Sequence, residues 1–197
     1  MPKTVDYYLF LLSPWSYLGT RRFNEVVAKH NVEVNYKPID VMQTFGKTGG
    51  LPPAKRHTSR QRFRLDELKR WSGYLGVPIN LHPAFWPADQ SLAAKMVLAA
   101  GERGNAGPLV DAILAAVWIE ERNIAEVDTL REIAEESGLD SDAIIERAQT
   151  EEMAMKYQAT TDEACERDVF GSPTYIYDGE NFWGQDRIDF LDRALAR

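Results

Sequence analysis

The sequence predicts an α/β protein in which a block of helices separates a strand-helix-strand start from a strand-strand-helix finish. Three observations predict it. Val5 to Leu12 is an apolar, aromatic run that stops at Ser13-Pro14, as a buried strand feeding directly into a helix would. From Ser59 to about Tyr157, apolar residues recur at helical spacing with almost no strand pattern. After Pro173, two short runs flank Asp178-Gly179, the signature of a hairpin.

Pro14 suits the first turn of a helix, and Tyr17, Leu18, Phe23, Val26 and Val27 keep helical spacing up to Lys29-His30-Asn31. Val32 to Ile39 then alternates like a strand, completing a βαβ unit with the right-handed connection that makes its strands parallel. In the helical block the apolar sets are Leu65/Leu68/Trp71, Leu92/Met96/Val97, Ile113/Leu114/Val117/Trp118 and Leu130/Ile133/Ala134. Asp128 is an expected N-cap and Gly138 an expected helix stop. Pro78, Pro83 and Pro87 mark an extended crossing between helices. Thr174 to Tyr177 and Asn181 to Gly184 are the hairpin strands, and Arg187 to Ala196 is a last helix with Ile188, Leu191 and Leu195 on one face.

The composition narrows the function. A net charge of −7 excludes general nucleic-acid binding, which needs a basic surface. The single cysteine, Cys165, can form neither an intramolecular disulfide nor a cysteine metal cluster, and no metal site is expected. It lies on an expected helix between Ala164 and Glu166, where nearby carboxylates would raise its pKa. No apolar run reaches membrane-spanning length and no leader pattern opens the chain, so no membrane partner is expected and the cytoplasm is the default.

Four segments carry candidate chemistry. Ser13, in Ser13-Pro14-Trp15-Ser16, puts a hydroxyl among the unpaired N–H groups of a helix start, which favour anions including thiolates. An N-cap is the plain alternative. Serine is a poor nucleophile here, because His30, His57 and His82 form no triad motif. The second segment is Val169-Phe170-Gly171-Ser172-Pro173-Thr174 and the third Phe182-Trp183-Gly184-Gln185-Asp186-Arg187, in which Asp186 could cap the last helix. The fourth is a basic run, Lys55, Arg56, Arg60, Arg62, Arg64, Lys69 and Arg70, after Gly49-Gly50-Leu51-Pro52-Pro53. Such a run is usually a solvated face, with a carboxylate clamp as the alternative. The aromatic residues Trp15, Tyr17, Trp71, Phe85, Trp86, Trp118 and Trp183 are expected mainly in the core.

Together these segments resemble the DsbA-like, glutathione-dependent family that contains 2-hydroxychromene-2-carboxylate isomerases and kappa-class glutathione transferases. The resemblance implies a thioredoxin-like fold with an all-helical domain inserted between its βαβ and ββα halves, the former in residues 1–45 and 165–197, the latter in 46–164. Serines stand where a redox relative has cysteines, so disulfide exchange is excluded and the thiol must be borrowed. By the resemblance Ser13 is catalytic and holds the glutathione thiolate. Pro173 is the cis-proline, and the backbone of Ser172 pairs with glutathione, its side chain being incidental. Gln185 and Asp186 hold the γ-glutamyl end, and Arg60 meets the carboxylate of a small aromatic substrate. The chain departs from family members in having Gly50 and Ala54 where they carry asparagines. The implied activity is cis-trans isomerisation, with a kappa-like transferase or peroxidase, or a non-catalytic binding module, as alternatives. Related enzymes are commonly dimers, so a homodimer is expected.

Overall fold

The first strand forms because its side chains alternate between two buried layers. In the computed structural model, which describes residues 2–104 and 106–197, β1 spans Thr4–Leu9. Val5, Tyr7 and Leu9 enter the larger core, while Tyr8 points the other way with Ile39, Ala164, Val169 and Ile176. This period of two is what a sheet covered on both faces requires.

Helix α1, Pro14–His30, follows at once and ends at Asn31, which takes the left-handed conformation. Strand β2, Glu33–Pro38, pairs parallel with β1. The hairpin consists of β3, Thr174–Tyr177, and β4, Glu180–Trp183, joined at Asp178 and Gly179 with φ of 50° and 78°. Two positive values match the tight hairpin turn expected there. The sheet order is β2-β1-β3-β4, with β3 antiparallel to both neighbours.

Between β2 and β3 run α2 (Val41–Thr48), a 3₁₀ turn (Pro53–Lys55), α3 (Thr58–Leu75), α4 (Ser91–Gly101), α5 (Ala106–Trp118), α6 (Val127–Glu136), α7 (Ser141–Ala148) and α8 (Glu151–Glu166). The helical stretch therefore runs from Val41 to Glu166, and the boundaries drawn at 46 and 164 fall inside α2 and α8. Tyr7, Phe23 and Tyr175 share one continuous core with Met96, Leu109, Ile113, Ile133 and Met153. The insert thus packs on the sheet rather than standing apart from it.

Two expected caps differ. Asp128 lies within the first turn of α6, which is preceded by Glu126 and has no side-chain cap. Its carboxylate still favours the positive helix end. The last helix, α9, spans Ile188–Leu195 and is preceded by a 3₁₀ turn, Gln185–Arg187, so Asp186 does not cap it. Among the described residues no helix is long and apolar enough to cross a membrane.

An open groove of about 680 Å³ lies between α1, α5 and Gly76 to Pro78, and Asp111 lines it. Burial pushes this carboxyl up to about 6, against one supporting bond from Asn24 Nδ2 at 2.6 Å. A raised carboxyl pKa means the folded state binds the extra proton between about 4 and 6, so stability should fall as pH climbs through that window. Asp111→Asn is accordingly expected to be more stable than wild type at pH 7.5, by on the order of 1–3 kcal/mol, and to match it at pH 4. Thermal melts at the two pH values check this; an equal difference at both would mean that packing, not ionisation, is responsible.

Candidate active site

After β1 the chain turns through Phe10, Leu11 and Leu12, and the Ser13 N–H donates to the Phe10 carbonyl at 2.9 Å. Ser13 is the N-cap of α1, its Oγ accepting from the Ser16 N–H at 3.2 Å. The same hydroxyl donates to the Ser172 carbonyl at 3.1 Å. Capping and site formation are thus done by one atom.

The Ser172-Pro173 peptide is cis. The Ser172 side chain, expected to be incidental, is instead a structural tie: its Oγ accepts from the Phe10 N–H at 2.7 Å and lies 3.0 Å from Ser16 Oγ. The physical reason is burial. Phe10 leaves the ladder at the end of β1, and its N–H needs an acceptor that the sheet does not supply. Among the described residues the Ser172 N–H itself has no hydrogen-bond partner, which leaves an edge donor on the loop beside Ser13.

The third motif joins the first two through the backbone. The Gly184 N–H donates to the Pro173 carbonyl at 2.8 Å, extending the β3–β4 pairing and setting the Gln185–Arg187 turn beside the cis-proline loop. The Gln185 side chain is turned inward. It is 2% exposed, and its Oε1 accepts from Arg22, which also pairs with Asp189 at 2.6 Å. A Cβ at Gly19 would come within 2.9 Å of Gln185 Cβ, so the glycine allows α1 and this turn their close approach. Asp186 is the exposed member, its carboxylate 2.6 Å from Arg187.

The inserted block closes the other side. A cavity of about 300 Å³ is lined by Pro53, Ala54, Gln61, Arg64, Leu65, Leu81, His82, Pro83, Trp86 and Trp118. Trp86 borders both regions, because its Nε1 donates to the Leu12 carbonyl at 3.0 Å, one residue before Ser13. Arg60, the expected carboxylate partner, is exposed on the first turn of α3 and does not line this cavity. The arginine that lines it is Arg64, one turn further on, whose guanidinium lies 5.2 Å from the Trp86 ring centre. The spacing of Arg64 four residues before the buried Leu68 was the available signal. At position 50, an asparagine Cβ would fall 2.3 Å from Phe45 Cδ1, which accounts for glycine there.

Gln90 was not singled out by the sequence and proves central. It is 5% exposed. Its Oε1 accepts from the Leu11 N–H at 2.7 Å, and its Nε2 donates to the Ile39 carbonyl and to Tyr157 Oη, each at 2.9 Å. One amide therefore fixes the ends of β1 and β2 against α8. Nothing in its local sequence distinguishes it from any glutamine before a helix.

Fold and site together define a thioredoxin-like protein in which hydroxyls occupy the helix N-terminus and cis-proline loop. The chain belongs to the DSBA-like thioredoxin domain family, whose model matches residues 4–196. It is 30% identical over 196 residues to a 2-hydroxychromene-2-carboxylate isomerase of Sphingobium xenophagum, covering 99% of each chain. It is 24% identical to glutathione S-transferase kappa 1 of Homo sapiens, covering 100% of this chain and 92% of that one. A solved structure of 2-hydroxychromene-2-carboxylate isomerase superposes with a TM-score of 0.84 at 28% identity, covering 98% of this chain and 95% of that one.

Proposed function

We propose that this protein is a glutathione-dependent isomerase of an aromatic carboxylate. The observation that carries the reading is the bond between the Ser13 hydroxyl and the Ser172 carbonyl, which joins a helix N-terminus to the cis-proline loop where no cysteine is present. The full-length relatives named isomerase and glutathione transferase support it.

The residues present fit glutathione. The free Ser172 N–H on an extended loop suits a peptide that adds like a strand, and Ser13 stands at the positive end of α1. Asp186 is the exposed carboxylate at the neighbouring turn, suited to an ammonium. Gln185 acts behind it, its amide holding the turn against Arg22.

Glutathione, when bound, supplies a thiolate able to add reversibly to a conjugated carbon, so that rotation about the former double bond becomes easy. Ser13 redirects its proton from the Ser172 carbonyl toward the anion, exchanging a neutral hydrogen bond for a charge-assisted one. The dipole of α1 adds to that stabilisation. Trp86, Leu65, Leu81 and Pro83 offer apolar faces on the open side, against which a substrate ring would displace water. The reading implies a reducing compartment such as the cytoplasm, since the thiol must remain free.

The test is a thiol count during turnover. A hydroxychromene carboxylate should interconvert with its open-chain isomer under catalytic glutathione, with no net loss of free thiol. Stoichiometric thiol loss would favour a transferase or peroxidase instead, in line with the kappa relative. No turnover and no thermal shift with glutathione would leave only a binding module.

A further inference from the structure

Arg64 is a half-buried cation without an anion. The other inward-leaning arginines of this acidic chain, Arg56 apart, are paired: Arg22 with Asp189, Arg122 with Glu132 and Glu136, Arg131 with Asp142, Arg147 with Glu102 and Glu152, and Arg167 with Asp6 and Glu163. Arg56, beside Arg64, donates to the Leu51 carbonyl. Among the described residues no carboxylate lies within ion-pair distance of Arg64. Burial and the nearby Arg56 charge lower its pKa, so the surroundings disfavour the cation they contain. An unpaired guanidinium kept in such a place is understandable when a ligand completes it.

The cavity says what kind of ligand. Its walls are mixed: Pro53, Leu65, Leu81, Pro83 and the two indoles Trp86 and Trp118 give apolar faces that suit a flat hydrocarbon body, with Gln61 and His82 as polar neighbours. The guanidinium is the fixed charge against those walls, and its fork matches a carboxylate. Position links it to the chemistry, because the ring beneath Arg64 is the one whose N–H holds the Leu12 carbonyl.

We propose that Arg64, seated on Trp86, is the residue that binds the carboxylate of the aromatic substrate, whose ring occupies the cavity between α3 and the Pro78–Pro87 crossing. The inference deepens the proposed function and can be tested apart from it. Cinnamate and the neutral cinnamamide are titrated by calorimetry into the whole protein without glutathione. The wild type should bind cinnamate about tenfold or more tightly than the amide, as expected for a charge-assisted pair. Arg64→Gln should erase that difference, and Arg60→Gln should keep it within about twofold. Discrimination that survives Arg64→Gln, vanishes in Arg60→Gln, or is missing from the wild type overturns the proposal. Should Arg64→Gln fail to fold, the Trp86 indole N–H resonance of the wild type, assigned with Trp86→Phe, decides. A shift on adding cinnamate supports the assignment, and none overturns it. Cinnamate discrimination without any glutathione binding would sink the proposed function and leave this inference standing.

Discussion

Ser13→Ala is expected to keep the fold and to lower glutathione-dependent turnover by about 10- to 100-fold, the worth of one charge-assisted hydrogen bond to a thiolate. The stability effect should be smaller. Losing the cap on the Ser16 N–H costs about 1 kcal/mol, which in a chain of this size lowers Tm by roughly 2–4 °C. The two effects separate by pH. Without the Ser13 donor the bound thiol ionises less readily, so the acid limb of the pH–rate profile should move up by about one unit or more. If the limb stays in place and only Tm falls, Ser13 is a helix cap and nothing else. Ser13→Cys gives an orthogonal readout, because a thiol there should form a mixed disulfide on incubation with oxidised glutathione, releasing one glutathione thiol. Mass spectrometry should find the adduct on the peptide carrying the substitution in preference to the one carrying Cys165.

Gln90→Leu should be the most destabilising substitution outside the apolar core. Leucine fills a similar volume but leaves the Leu11 N–H and the Ile39 carbonyl without partners, both in residues that are 0% exposed. Each orphaned buried group costs about 1–3 kcal/mol, so a total of about 3–5 kcal/mol and a fall in Tm on the order of 10 °C are expected. Gln90→Glu keeps the acceptor for Leu11 and loses the donor to Ile39 and Tyr157, so its melt should lie between the two. A drop of less than about 2 °C for Gln90→Leu would show that water or a shifted backbone takes over these bonds.

What was legible in the sequence is concentrated where local chemistry is strong. Ser13-Pro14 announced a helix start because a hydroxyl followed by proline suits the cap and first turn, and α1 begins at Pro14. Asp178-Gly179 announced the hairpin because both positions need positive φ. Residues at 172 and 173 were readable from their motif, and the structure sets them against Ser13. Helix α2 was not recognised, since eight residues give little periodicity and its start depends on the Asp40 cap accepting from Met42 and Gln43.

The sequence by itself determined the strand-helix-strand start, the helical block and the strand-strand-helix finish, the absence of an internal disulfide couple and the hydroxyls that replace it. These depend on residue identity and near-neighbour spacing. Tertiary structure alone decided which polar groups line an opening and which hold the frame. Gln185 turned inward because Gly19 lets α1 approach and Arg22 supplies a donor 163 positions away in sequence. Gln90 reaches Leu11 across 79 positions, and Ser172 reaches Phe10 across 162. Arg64 rather than Arg60 lines the cavity, because Arg60 stays exposed to solvent near the start of α3 while Arg64 packs beside Trp86. Side chains of one type in one run differ in role once packing fixes which of them lose water, and that loss is a property of the assembled surface rather than of any local stretch of chain.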